Sequence, residues 1–170
     1  MQERQHIIVP IDFKTHSDLQ ANFALHMARL LNAKTTFVHV LRPIADFSDY
    51  DPATLEQVEK KLLAHMRKKV DAFIKALDKR GVICEGVVLS GSIAETVIAH
   101  VDEQKADLVV LSTHGAQGIE KVLLGSVADR VIKGVNCPCL VFNPYKNRWR
   151  HDDTTGRYDF GKAVELPPLA

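Results

Sequence analysis

Short apolar runs alternate with longer amphipathic stretches along the chain. The runs read HIIVPIDF, KTTFVHVL, VICEGVVLSG, ADLVVLS and CPCLVF, at residues 6–13, 34–41, 82–91, 106–112 and 137–142. They are rich in β-branched residues and mostly continuous in apolar character, which is typical of strands buried on both faces of a parallel sheet. The pattern therefore predicts five strands.

Between these runs, apolar residues recur every three or four positions, which predicts amphipathic helices. Two of these helices are expected to begin with a capping box, in which a serine is followed three residues later by Glu or Gln. The first box is Ser17 with Gln20, ahead of Leu19, Phe23, Met27 and Leu31, and the second is Ser92 with Glu95, ahead of Ile93, Val97 and Val101.

The longest predicted helix follows the second strand. It is expected to begin after Asp51, a favourable N-cap, with Pro52 in its first turn, and to run up to Gly81. Its lysines near residues 60–69 lie mainly between the apolar positions, which indicates a solvated face. A final short helix is predicted from Ser126, ahead of the fifth strand.

Strand and helix alternate throughout, which is the pattern of an α/β fold with helices on both faces of a parallel sheet. Right-handed crossovers favour a doubly wound, Rossmann-like sheet of five strands in the order 3-2-1-4-5. Ligands bind such a sheet beyond the carboxyl ends of the strands, where the winding reverses. The reversal lies between the first and fourth strands, which are expected to end at Asp12 and Ser112. These residues mark the predicted binding crevice.

Length and composition fit one soluble globular domain. The chain has 170 residues, 46% hydrophobic and 25% charged, with a formal net charge of +1. A nearly neutral protein has no broad electrostatic field to attract nucleic acid. The N-terminal apolar run is too short for a signal peptide or a membrane span, and Cys84, Cys137 and Cys139 lack the spacing of a redox or zinc motif. We therefore expect a cytoplasmic protein with reduced thiols and no metal site.

A glycine-rich stretch, STHGAQGIEKVLLGSVADRVIKG, occupies residues 112–134 between the fourth strand and the last helix. Gly115, Gly118 and Gly125 would allow positive φ and a close approach of the backbone to a ligand. The helix expected at Ser126 would add unpaired N–H groups and the positive end of its dipole. Together these features predict a phosphate site. The spacing equally allows the glycines to shape the loop and nothing more.

The same residues resemble the universal stress protein family. Its ATP-binding members carry, after the fourth strand, a glycine, two residues, a second glycine, nine residues, and then Gly-Ser or Gly-Thr. Gly115, the nine residues after it, and Gly125 with Ser126 match the second half of that pattern. The similarity covers about residues 6–142 and includes IIVPIDF, GSIAETVIAHVDEQKADLVVLSTHG and LLGSVADRVI. It implies a Rossmann-like fold of the HUP type.

The resemblance also implies contacts to an adenine nucleotide at the positions that match. Beside the adenine and the ribose it places Pro10, Asp12 and, through its backbone, Val40. At the start and end of the phosphate loop it places Leu111, His114, Gly115, Gly125, Ser126 and Val127. The implied cofactor is ATP, ADP or AMP, with or without Mg²⁺.

One position departs from the family pattern. Ser112 stands where the family has its first glycine. A serine Cβ would crowd a ligand packed closely on that backbone, and it would be strained if the residue adopted positive φ.

No catalytic motif is visible. The sequence has no G-x-x-x-x-G-K-[ST], no G-x-G-x-x-G after the first strand, no H-E-x-x-H and no G-x-S-x-G. We expect a nucleotide-binding regulatory module of the stress response that is not an enzyme, with at most slow ATP hydrolysis. Two alternatives stay open: a dedicated ATP hydrolase or phosphotransferase that uses the same crevice, and a family member that binds no nucleotide and acts through protein contacts.

The ends of the chain lead to two further expectations. The last strand, at residues 137–142, would leave an exposed sheet edge, and members of the family commonly dimerise by pairing these strands about a two-fold axis. We therefore expect a homodimer, with a regulatory protein as a further partner. Residues 1–143 are predicted to form the nucleotide-binding domain, and residues 144–170 a C-terminal extension whose Trp149, Tyr158 and Phe160 pack on the protein.

Overall fold

The computed structural model describes residues 4–14, 16–43, 51–113, 124–143, 150–152 and 157–159. The strands are β1 (His6–Pro10), β2 (Lys34–Leu41), β3 (Cys84–Ser90), β4 (Leu108–Ser112), β5 (Cys139–Phe142), β6 (Arg150–Asp152) and β7 (Arg157–Asp159). The helices are α1 (Ser17–Leu30), α2 (Pro52–Ala76), α3 (Ile93–Glu103) and α4 (Ser126–Gly134). The five predicted strands and four predicted helices are all present.

Strands β1 to β5 form one parallel sheet in the order β3-β2-β1-β4-β5, with helices on both faces, which confirms the predicted fold. β1 pairs with β2 along its whole length, up to Pro10 opposite Val38. Its pairing with β4 stops after Ile8. The two central strands therefore part towards their carboxyl ends, where the winding reverses.

Two apolar layers cover the sheet. Ile7 and Val9 of β1 belong to the layer formed with α1 and α2, which includes Val70. Ile8 points to the other face and packs with α3 and α4, where Val97 and Val131 are fully buried. Side chains alternate between the faces of a strand, so a continuous apolar run serves both layers.

The capping box predicted at the start of α1 is wrong. The N-cap residue is His16, in the left-handed conformation at φ 79°, and Ser17 already belongs to the helix. The Ser17 hydroxyl donates to Oδ1 of Asp12 at 3.1 Å. Gln20 lies on the buried side of α1, where its amide meets carbonyl groups of the sheet instead of its own first turn.

The buried face of α1 also differs from the predicted apolar stripe. Leu19 and Leu31 are 36% and 40% exposed, whereas Ala21 and Ala24 are completely buried. Small side chains allow a helix to approach a sheet closely, and Phe23 fills the remaining space by stacking on Phe142 with ring centroids 5.0 Å apart. The apolar period alone did not distinguish these two faces.

The other helix starts follow the sequence closely. Asp51 is the N-cap of α2, and its carboxylate accepts a hydrogen bond from the N–H of Thr54 at 3.2 Å. α2 ends at Ala76, before the predicted stop at Gly81. Ser92 is the N-cap of α3 as predicted, but its hydroxyl donates to the Glu95 carboxylate and caps no backbone N–H.

The edges of the sheet are less buried than predicted. In β3 only Val88 is fully buried, because the strand has a neighbour on one side alone and its outer residues meet solvent. Pro138 stands immediately before β5 and contributes only its carbonyl, which accepts from Val109 at 3.0 Å.

Part of the C-terminal extension is described. β6 and β7 form an antiparallel pair, and β7 lies beside α1. Trp149, Phe160 and the side chain of Tyr158, whose packing was predicted, lie outside the described residues.

Candidate functional site

Gln20 braces the two central strands at the carboxyl edge of the sheet. Its side-chain nitrogen donates to the carbonyl oxygens of Pro10 in β1, at 3.0 Å, and Val110 in β4, at 3.1 Å. Both bonds lie beyond the last residue pair between β1 and β4. The Gln20 side chain thus links the ends of β1 and β4 and fixes the width of the crevice between them.

Val40 lies where β2 extends past the end of β1. β2 continues to Leu41, but the last backbone bond from β1 runs from the N–H of Ile11 to the carbonyl of Val38, at 2.8 Å. Peptide groups along a strand point alternately to its two neighbours. Val40 therefore directs its N–H and C=O to the same side as Val38, beyond the point where β1 ends.

The carbonyl oxygen of Ile11, which would be the next acceptor for an N–H group of β2, already accepts a hydrogen bond from a side chain. Nδ1 of His39 donates to the carbonyl oxygen of Ile11 at 2.8 Å. Within the part of the chain that the structure describes, the Val40 N–H has no backbone acceptor on that side. One donor and one acceptor are left adjacent to each other at the crevice, an arrangement that suits the edge of a planar heterocycle.

Asp12 is exposed at the mouth of the crevice. Its Oδ1 accepts hydrogen bonds from the N–H of Lys14, at 2.9 Å, and from the Ser17 hydroxyl. These bonds orient the carboxylate just after β1 and engage only one of its oxygens. Oδ2 is therefore in a position to accept from a hydroxyl group of a ligand.

A single backbone bond brings the start of α4 to the end of β4. The N–H of Gly125 donates to the carbonyl oxygen of Thr113 at 2.9 Å, and the N–H of Thr113 donates to Phe142, also at 2.9 Å. The N-terminus of α4 is consequently held beside the crevice. The bond also engages the Gly125 N–H, which is no longer free for a phosphate.

The backbone conformation of two residues bears on the predicted phosphate site. Gly125 is the N-cap of α4 with φ −70° and ψ 151°, so it does not use the positive φ that a glycine allows. Ser112 is the last residue of β4 and has extended backbone. The strain that positive φ would impose on a serine therefore does not arise at this position.

Ser126 and Val127 occupy the first turn of α4. First-turn N–H groups have no partner inside their helix, and a glycine N-cap has no side chain to satisfy them. The helix dipole adds positive charge at the same place. Ser126 is exposed and adds a hydroxyl group, so this turn is suited to bind an anion.

A cleft of about 580 Å³ opens above the carboxyl edge of the sheet. Its walls come from the end of β2 and from the N-terminal turns of α3 and α4. The lining residues are Arg42, Pro43, Gly91, Ser92, Ile93, Ala94, Ser126, Val127 and Arg130.

Glu95 connects the two helices at the rim of this cleft. Its carboxylate accepts from the Ser92 hydroxyl and from a guanidinium nitrogen of Arg130 at 3.3 Å. The hydrogen bond from Ser92, with a smaller contribution from Arg130, holds the pKa of Glu95 below its ordinary value. Glu95 is therefore a charged partner of Arg130 at neutral pH.

The structure brings most of the predicted site residues to one edge of the sheet. Pro10, Asp12, Val40 and Leu111 lie at the ends of β1, β2 and β4, and Gly125, Ser126 and Val127 lie at the start of α4. Leu111 is buried in the α3/α4 layer and is not among the residues that line the cleft. His114 and Gly115, like Gly118, lie outside the described residues.

Sequence reasoning missed seven of the nine described residues that line the cleft. These are Arg42, Pro43, Gly91, Ser92, Ile93, Ala94 and Arg130. The signal for Arg42 was its position directly after β2, because ligands bind at the carboxyl ends of strands. The signal for Gly91 and Ser92 was the same, at the end of β3. Arg130 lies one turn into α4, and only packing shows which way it points.

The described residues contain no group of three or more His, Cys, Asp or Glu side chains arranged to hold a metal ion. None of their helices combines the length and the apolar character that crossing a bilayer requires.

Comparison with known proteins gives a consistent result. A sequence profile of the Universal stress protein family matches residues 3–143. A universal stress protein of Methanocaldococcus jannaschii is 30% identical over 135 residues, which are 79% of each chain.

Solved structures share the fold. The hypothetical protein MJ0577 of Methanocaldococcus jannaschii superposes with a TM-score of 0.71 at 22% identity, covering 82% of this chain and 95% of the other. A universal stress protein from Archaeoglobus fulgidus in complex with dAMP superposes with a TM-score of 0.53 at 23% identity, covering 83% and 98%.

Proposed function

Because the chain belongs to the universal stress protein family, we propose that it is a cytoplasmic regulatory module of the stress response that binds an adenine nucleotide at the carboxyl edge of its sheet. ATP, ADP and AMP are the candidate ligands. The dAMP complex of the Archaeoglobus relative supports an adenine base and at least one phosphate.

The observation that carries this proposal is the open backbone of Val40. An adenine presents an acceptor and a donor next to each other on its Watson–Crick edge, and the N–H and C=O of one extended residue match that pair. β2 passes the end of β1 at this residue, so the base has room to enter the plane of the sheet.

The remaining contacts follow from the positions of the other groups. Oδ2 of Asp12 is available to a ribose hydroxyl. The N–H groups of Ser126 and Val127 and the Ser126 hydroxyl are available to the phosphates. Mg²⁺ would be carried mainly by the phosphates, because Asp12 is a single carboxylate and Mg²⁺ keeps most of its water in such sites.

Binding without dedicated catalysis is the second part of the proposal. A hydrolase needs a base that is placed to activate water. Asp12 is exposed, and its carboxylate accepts hydrogen bonds from Lys14 and Ser17. This setting favours a role in orienting the ligand over a role as a base. We expect phosphate release from ATP to stay slow over hours. Fast release that is lost in Asp12→Asn would instead establish the hydrolase alternative.

Two variants of Ser126 test nucleotide binding directly. Ser126→Ala removes only the hydroxyl. Ser126→Pro also removes the N–H, and proline suits this first helical position because the preceding Gly125 has extended ψ. Calorimetry should show binding of at least one of ATP, ADP and AMP by the wild type. Ser126→Pro should weaken it about 10-fold or more, and Ser126→Ala less.

The controls are the melting temperature of each variant and titration with guanosine nucleotides. Unchanged melting temperatures would show that α4 still forms. The absence of heat for all three adenine nucleotides at high micromolar protein would refute the proposed function and favour a family member that acts through protein contacts.

We also propose that the protein is a homodimer through β5. β5 is an edge strand of the sheet, and Val141 on it is 40% exposed. An unpaired edge with an apolar side chain is a surface that proteins usually cover, and a second copy of β5 would cover it by antiparallel pairing about a two-fold axis. Nucleotide binding would then change the surface offered to a regulatory partner.

A further inference from the structure

We infer that Arg42 and Arg130 form a cationic pair that selects ligands by their number of phosphates, and that Glu95 competes with the ligand for Arg130. This inference rests on the proposed function, since it concerns the same crevice. It adds a charge-based preference for ATP and ADP over AMP and identifies the residues that set it.

The first support is the charge of the cleft. Among the described residues, its walls contain two arginines and no acidic side chain. Arg42 approaches from the end of β2 and Arg130 from the first turns of α4. A guanidinium group binds phosphate through two parallel N–H groups, so an arginine on each side suits a chain of phosphates better than a single one.

The second support is that two helices begin at this cleft. The N-terminal turns of α3 and α4 both contribute to its walls, through Ile93 and Ser126 among others. Neither N-cap side chain, of Ser92 or Gly125, bonds to the N–H groups of its helix. The first turns of both helices therefore bring N–H groups that have no intrahelical partner to the cleft, beside the arginines.

The third support is the position of Glu95. Its carboxylate lies 3.3 Å from Arg130, at the rim, and receives the Ser92 hydroxyl that would otherwise be free. Both members of the ion pair are more than half exposed, and exposed pairs are weak. An incoming phosphate group can therefore replace the carboxylate, and this exchange frees Glu95 at the surface shared by α3 and α4.

The charges of the ligands decide the expected preference. ATP carries about two more negative charges than AMP, and these are placed on its outer phosphates. Under the proposed function, Ser126 and Val127 at the α4 terminus bind a phosphate that all three nucleotides carry. Arg42 and Arg130 should consequently contribute most to the binding of the outer phosphates.

The test uses calorimetry with AMP, ADP and ATP at one fixed ionic strength on the full chain. Arg42→Gln and Arg130→Gln should each weaken ATP about 10-fold and AMP less than about threefold. Glu95→Gln should tighten ATP. Lys133→Gln is the matched control, because Lys133 is on the same helix, pairs with Asp129 at 2.8 Å and does not line the cleft.

The outcomes separate the two proposals. If the wild type binds none of the three nucleotides, the proposed function fails and this inference fails with it. If the wild type binds but both arginine variants behave like Lys133→Gln, or weaken AMP and ATP equally, the inference is wrong while the proposed function stands. A Glu95→Gln variant that binds ATP more weakly would contradict the competition.

Discussion

The side-chain nitrogen of Gln20 lies 3.1 Å from the carbonyl oxygen of Val110, a residue ninety positions further along the chain. The same nitrogen reaches Pro10, so one amide joins both central strands at the point where they part. Gln20 is buried, and the helix that carries it is held against the sheet by these bonds.

Replacing Gln20 by Met should therefore destabilise the fold. Met has a similar length and no donor, so the carbonyls of Pro10 and Val110 would lose this partner. We expect the free energy of unfolding to fall by about 1–3 kcal/mol in urea titrations. Gln57→Met, at an exposed position of α2, should change it by less than about 0.5 kcal/mol. Equal effects in the two variants would contradict the bracing role.

Two buried histidines make stability depend on pH. Nε2 of His6 lies within hydrogen-bond distance of Thr36 Oγ1, at 2.7 Å, and the Thr36 hydroxyl donates to Glu85 at 2.7 Å. Burial, with a contribution from Lys34, lowers the pKa of His6 below its ordinary value of 6.5. Burial likewise lowers the pKa of His100, whose Nε2 has no hydrogen-bond partner among the residues that the structure describes.

A lowered folded-state pKa means that the unfolded chain binds protons first as the pH falls. The stabilisation from neutral His6 and His100 is present above the unfolded pKa of about 6.5 and is lost as the pH falls through the folded-state values. Urea titrations should show this loss of stability starting near pH 7 and growing as the pH falls. His100→Gln should flatten the profile, whereas exposed His65→Gln should leave it unchanged. A flat wild-type profile from pH 7 to 5 would rule out this account.

Both the backbone conformation at position 91 and the nearby side chain of Thr96 require a glycine there. Its φ of +150° is open essentially to glycine alone, and a Cβ there would collide with Oγ1 of Thr96. We expect Gly91→Ala to cost about 1–3 kcal/mol in unfolding measurements. Thr96→Ala in the same chain should restore only part of this, because it removes the collision but not the backbone strain. Complete restoration would show that the φ angle imposes no cost.

A charge on β5 tests the proposed dimer. Val141→Lys places an ammonium group on the edge that would pair, and two copies would meet near the two-fold axis. Light scattering at micromolar concentration should change from a dimer in the wild type to a monomer in the variant. Ile83→Lys is the control, because Ile83 is 56% exposed and immediately precedes β3 at the opposite edge. A monomeric wild type would refute the proposal.

The local sequence pattern was sufficient to predict the strands and helices and their order along the chain. The apolar runs became β1 to β5, and Asp51 and Ser126 marked helix starts, because strand burial and helix capping depend on residues close together in sequence. Alternation of strand and helix, with right-handed crossovers, then predicted the order 3-2-1-4-5 and the crevice at its reversal.

Only the tertiary structure decided which polar groups are used and which stay open. Ser17 of the first predicted capping box donates to Asp12, and Gln20 donates to carbonyl groups of two strands. A buried amide forms hydrogen bonds with the carbonyl groups that packing places beside it. The Val40 N–H has no backbone acceptor on the β1 side among the described residues, because β1 is shorter than β2. Arg42 and Arg130 line one cleft because the end of β2 and the start of α4 are close in space. The sequence alone could not predict this, because the two residues are far apart along the chain.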